Sequence, residues 1–157
     1  MKSFKRIISL ILISVMSIVT FASCGGEEKT PDVKDVLKAV VDSQSGLEDM
    51  MDGTSDEFNF RYSLDASLYE SFAMTYAGNA AIADEITVVK AVDSKAADEI
   101  KTIFEKRIQK RTNDFAGYVP EEEAKLKKSI VYTNGNYVVL IICPDVTAAK
   151  KAASDKF

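Results

Sequence analysis

Apolar positions along this chain change their spacing several times, and each change marks an element. Val33, Val36, Leu37 and Val40 fall on one face at helical spacing. Thr30 and Pro31, a capping hydroxyl and a first-turn proline, predict the start of that helix. From Gly46 to Tyr69 no period holds, because Gly53, Thr54 and Ser55 interrupt it. Phe58, Phe60, Tyr62, Leu64, Leu68 and Tyr69 supply core candidates there, on short helical turns and irregular chain. Phe72 to Tyr76 and Glu85 to Ala91 read as strands, the second rich in β-branched bulk at Thr87, Val88 and Val89. Gly78-Asn79 is a turn signal between them, so the two strands are expected to be antiparallel.

A long helix follows from Asp93 or Ser94, with Ala97, Ile100, Phe104, Ile108 and Phe115 on its apolar face. Tyr118-Val119-Pro120 interrupts it, and Glu121 to Glu123 suit the first turn of a short helix. Ile130 to Tyr132 and Tyr137 to Ile142 flank Asn134-Gly135, a strong hairpin signal. The second of these strands is apolar at almost every position, which predicts a central strand covered on both faces. After Pro144 and a capping Asp145, Val146 to Ala153 form a last, small-residue helix. The order α-β-β-α-β-β-α predicts an α+β domain: an antiparallel four-stranded sheet with helices packed mainly on one face.

The first residues follow another rule. Lys2, Lys5 and Arg6 precede a run from Ile7 to Ser23 without a charge, then Cys24-Gly25-Gly26. Basic start, apolar run and small residues are the three parts of a secretion signal. The cysteine at the cleavage point resembles that of bacterial lipoproteins, whose thiol is acylated. Phe21 stands where such boxes usually carry leucine. Cleavage after Ala22 by an ordinary signal peptidase, or an uncleaved anchor, are the alternatives. The expected organisation is a lipoprotein signal peptide at 1–23, a lipidated tether at 24–31 and a single domain at 32–157. Acylation at Cys24 would insert several chains, enough for stable anchoring on the extracytoplasmic face of the cell membrane.

Composition narrows the chemistry. The formal net charge is −4, and loss of Lys2, Lys5 and Arg6 with the leader makes the rest more acidic, against a nucleic-acid partner. With no histidine in the chain, the usual proton shuttle and the commonest metal ligand are missing. Ser-His and Cys-His nucleophile systems are thereby excluded. If Cys24 is acylated, Cys143 has no disulfide partner; at the end of a Val, Leu and Ile run it is expected as a buried, inert thiol.

Three segments resemble a family of small, mostly Gram-positive lipoproteins, the domain of unknown function 4358. They are Glu85-Ile86-Thr87-Val88-Val89-Lys90-Ala91, Phe115-Ala116-Gly117-Tyr118-Val119-Pro120-Glu121 and Gly135-Asn136-Tyr137-Val138-Val139-Leu140. The resemblance extends over roughly residues 32–157. It implies an acylated protein outside the cell and carries over no catalytic residue.

Two candidate binding surfaces remain. Met50 and Met51, in a Met- and aromatic-rich segment, suit an adaptable groove. Lys106, Arg107, Lys110 and Arg111 form a basic cluster for anionic headgroups or wall polymers, or simply a solvated helix face. Glu48, Asp49, Asp52, Asp56 and Glu57 lack the spacing of a calcium loop. No metal site or cofactor is expected. The expected role is non-enzymatic: a binding or envelope-assembly module for an envelope protein, wall polymer or small ligand. The alternative is an extracytoplasmic hydrolase using two carboxylates.

Overall fold

The computed structural model describes residues 30–157. The expected leader at 1–23 and lipidation at Cys24 lie outside the described residues. Helix α1 spans Val33–Asp42, and its cap is Asp32, whose side chain accepts the Lys34 N–H at 2.7 Å. The Thr30-Pro31 start is therefore displaced by two residues, because Asp32 stands directly before the first helical residue and its carboxylate accepts a free amide there. Strand β1 (Met50–Asp52) and helix α2 (Ser55–Tyr62) follow, the helix capped by Thr54. A single 3-10 turn at Ala66–Leu68 leads into β2 (Tyr69–Ala77) and β3 (Glu85–Ala91). Helix α3 (Ser94–Phe115) starts at Asp93, and α4 (Pro120–Leu126) follows the break at Val119. Strands β4 (Ile130–Asn134) and β5 (Tyr137–Ile142) precede α5 (Val146–Ser154).

All strand pairs are antiparallel, in the order β1-β2-β3-β5-β4. The sheet thus has five strands where the sequence pattern predicted four. The extra strand β1 comes from the segment expected to hold short helical turns and irregular chain, where helical structure does form, as the two-turn helix α2 and the 3-10 turn. Three residues are too few to show a period, and the helix's hydrophobic stripe is only Phe58 and Tyr62. The tertiary partner of each supplies what local pattern lacks. In the hairpin, Gly135 takes the first central position of a two-residue turn at φ +52°, so β4 runs on to Asn134.

Helices cover both faces, which corrects the expectation of a layer mainly on one. On one face α2, α3 and α4 bury Phe58, Tyr62, Ile100, Phe104 and Leu126 against Val89, Val138, Leu140 and Ile142. On the other α1 and α5 bury Val36, Val40, Ala149 and Ala153 against Ile86, Val88, Val139 and Ile141. Alternation along a strand sends successive side chains to opposite faces. A strand apolar at every position, such as β5 with all six residues buried, therefore requires two layers. No helix among the described residues is long and apolar enough to cross a membrane.

Candidate functional site

Strand β1 pairs only with Thr75 to Ala77, so among the described residues the outer edge of β2 has no partner strand from Tyr69 to Met74. A groove of about 780 Å³ occupies that gap. One wall is α1: its Val36 and Val40 stripe faces the sheet, while Leu37 and Val41, one position on, turn to the groove. The other wall is Met50 with Gly53 to Ser55, and Phe72 to Thr75 form the floor. Lys34, Lys38 and Asp52 stand on the rim; Lys38 is tied to Asp42 at 2.6 Å. The Gly53 N–H donates to the Met74 carbonyl at 2.9 Å. By strand alternation the backbone N–H and C=O of Phe72 point to the same open side. The size lies within the range of small-ligand sites, with apolar walls and backbone hydrogen-bonding groups along one side.

Gly53 is needed for this geometry. A Cβ there would collide with the Cγ and Sδ of Met74, which is buried. Glycine therefore lets the chain leaving β1 pass close over β2 into α2 without displacing the Met74 side chain.

Across the sheet, Glu85 opens β3 with 1 % exposure and carries a charge network. Arg107 of α3 grips it twice, Nε to Oε1 at 3.0 Å and Nη2 to Oε2 at 2.6 Å. Arg61 of α2 donates through Nη1 to Oε2 at 3.2 Å, and its guanidinium lies 3.8 Å over the Tyr76 ring. Tyr62 donates its one phenolic proton to Oε1 at 2.7 Å, so the Thr87 hydroxyl, 2.6 Å away, donates to Tyr62. Burial alone would raise the Glu85 pKa, but the hydrogen bonds and charges of Arg107, with Tyr62 and Arg61, hold it below the ordinary glutamate value. Burial and the Glu85 charge push the Tyr62 phenol well above its usual range. The network pins α2 and α3 to the sheet.

A second cluster neighbours it. Lys125 Nζ lies 2.8 Å from Asp84 and 2.9 Å from Glu122, whose Oε2 also accepts the Ala83 N–H. The Lys125–Asp84 contact lacks hydrogen-bond direction, and Asp84 Oδ1 has no hydrogen-bond partner. Burial raises the Asp84 pKa above its ordinary value. These two carboxylates share a lysine, and neither lines the groove. Among the described residues no group of three or more His, Cys, Asp or Glu side chains could hold a metal. Cys143 is buried, and its thiol is pushed up to about 12 by burial.

The candidate residues separate in space. Met50 lines the groove, while Met51, next along the strand, turns away and is half exposed. The basic cluster belongs to α3, on the face of the sheet opposite α1. It also splits: Lys106 and Lys110 face solvent, Lys110 paired to Asp114 at 2.7 Å. Arg107 turns in to Glu85, and Arg111 reaches the Ile82 carbonyl at 3.2 Å with its guanidinium over Phe115. A signal existed for this division. Phe104, Arg107, Ile108, Arg111 and Phe115 are spaced by three and four, so both arginines lie on the core-facing stripe. The groove residues Leu37, Val41 and Phe72, and the Glu85 network, were not singled out by sequence, since their meeting depends on sheet order.

The family described as domain of unknown function (DUF4358) matches residues 43–143. That span contains the five strands with α2, α3 and α4; α1 and α5 flank it. No curated protein and no solved structure matches the chain.

Proposed function

For a chain that belongs to the DUF4358 family, whose description assigns no activity, we propose a lipid-anchored, extracytoplasmic, non-enzymatic binding module. Its ligand site is the groove between α1 and the β1–β2 edge. The anchor rests on the sequence Lys2 to Gly26, with acylation at Cys24. The observation that carries the binding role is the groove itself, an apolar-walled trough beside an unpaired strand edge. Such a trough fits an elongated ligand that offers apolar groups to Leu37, Val41 and Met50 and polar groups to the Phe72 backbone. The ligand is an envelope protein segment, a wall polymer or a small molecule with that pattern.

Both halves are testable in the full chain. Fatty-acid label should enter the wild type and be lost in Cys24→Ala, with the protein released from the membrane fraction. Envelope components are then screened by thermal stabilisation of the wild type, with Leu37→Glu as control. A component that stabilises the wild type and not Leu37→Glu supports the groove. Label retained in Cys24→Ala refutes the anchor, and a ligand that binds both proteins equally refutes the site. Reproducible turnover of a substrate refutes the non-enzymatic role.

A further inference from the structure

We infer that the end of the domain carrying Thr30, the β4–β5 turn and Phe157 faces the bilayer, and the β2–β3 connection points away from it. This rests on the lipid anchor proposed above and adds the surface that meets the lipid. The chain joins the domain at a fixed point. Thr30 lines a crevice with Lys90, Gly135, Tyr137 and Phe157. The Tyr137 hydroxyl donates to the Pro31 carbonyl at 2.8 Å, and Asp32 caps α1. Only Gly25 to Lys29 separate Thr30 from Cys24, at most roughly 20 Å when extended.

The domain is longer than that reach. Helix α3 has 22 residues, about 33 Å. It starts beside the end of β3 near Thr30 and runs past Glu85 at the opposite end of that strand. With the far end on the membrane, Thr30 would stand about one helix length above it, beyond the tether. The near end also carries aromatic rings. At the near end the Phe157 ring is 4.9 Å from Tyr137 and 6.4 Å from Tyr132, with the Lys150 ammonium 5.8 Å over Tyr132. Tyr137 is buried, and the half-buried Tyr132 and Phe157 with the exposed Lys150 and Lys156 are what this end offers to the headgroup layer. Exposed charge does not separate the ends: Asp32, Glu70 and Asp93 stand at the near one, and Lys110, Lys127 and Lys128 stand toward the far one beside Glu48, Asp49 and Asp145, so the tether length carries the orientation. The groove then opens on a flank, with Lys34 on its membrane-near rim.

The chain has no tryptophan, so a single introduced one reports cleanly. Asn134→Trp at the near end and Ala80→Trp at the far end, both at exposed positions, are made in the lipidated full chain. Each protein is reconstituted into vesicles of phosphatidylglycerol and phosphatidylethanolamine carrying a dansyl headgroup. Energy transfer from Asn134→Trp should exceed that from Ala80→Trp several-fold. Lys156→Trp serves as the near-end probe if Asn134→Trp fails to fold. Protein that floats with the vesicles but transfers equally from both ends, or more from Ala80→Trp, overturns the orientation and leaves the anchor standing. Protein left behind when the vesicles float overturns both.

Discussion

Glu85 shows how one residue can be expensive to keep and more expensive to lose. Its carboxylate is desolvated at the start of an otherwise apolar strand and repaid by two guanidiniums and a phenol. Removing it strands Arg61 and Arg107, so Glu85→Ala should destabilise the fold by about 3–5 kcal/mol, measured by urea unfolding. The pH dependence follows from the lowered pKa. The contribution is fully present above about pH 4.3, the ordinary glutamate value, and is lost as pH falls from there through the lower folded value. The stability gap between wild type and Glu85→Gln should therefore narrow below about pH 4. A gap constant down to pH 2 would remove the charge as its cause. Spacing on α3 contained one member of this network, since Arg107 shares the stripe of Phe104, Ile108 and Phe115. The partner did not show, because a glutamate at a strand's first residue also suits a solvated strand end.

Among the elements, β1 and α2 exist through contacts that no local pattern displays. The β1 strand has three residues, and the backbone of β2 holds it; α2 is seated by Phe58 stacking on Phe72 at 3.9 Å and by Tyr62. Gly53 joins them, and its close approach to Met74 is testable as a pair. Gly53→Ala should cost about 1–3 kcal/mol by overpacking and Met74→Ala about 2–5 kcal/mol by leaving a cavity. The double variant should cost less than the sum, since the vacated methionine space admits the new methyl group. Strict additivity in unfolding experiments would show that the two sites do not meet. By contrast α3, β3, β5 and α5 were legible to within a residue or two, because each is long enough to show its period or carries a clear cap.

For the whole molecule, the decisive property is a sheet covered on both faces. Leu140 and Ile141 are neighbours on β5, and each is fully buried in a different layer. Leu140→Ala and Ile141→Ala should each cost about 2–5 kcal/mol. In a sheet with one solvated face, one of the two would stay within about 0.5 kcal/mol. The groove belongs to this scale as well, for it requires α1 on one face and a short β1 at the sheet edge. Its Met50 could be suspected from composition; its Leu37 and Phe72 could not, being ordinary apolar residues until topology sets them side by side.

The sequence by itself determined the α+β class, the hairpins, the long helix and its cap, and it contains the uncharged run from Ile7 to Ser23 ahead of Cys24. Each is a local matter of period, turn chemistry or cap, written within a few residues. Only the tertiary structure decided that a fifth strand forms, that helices divide between two faces, and that two arginines turn inward. The groove beside β2 was decided there too. These depend on pairings between residues far apart in the chain, such as Arg107 with Glu85 or α1 beside β2. Hydrophobic periodicity says which side of an element is buried and not what buries it.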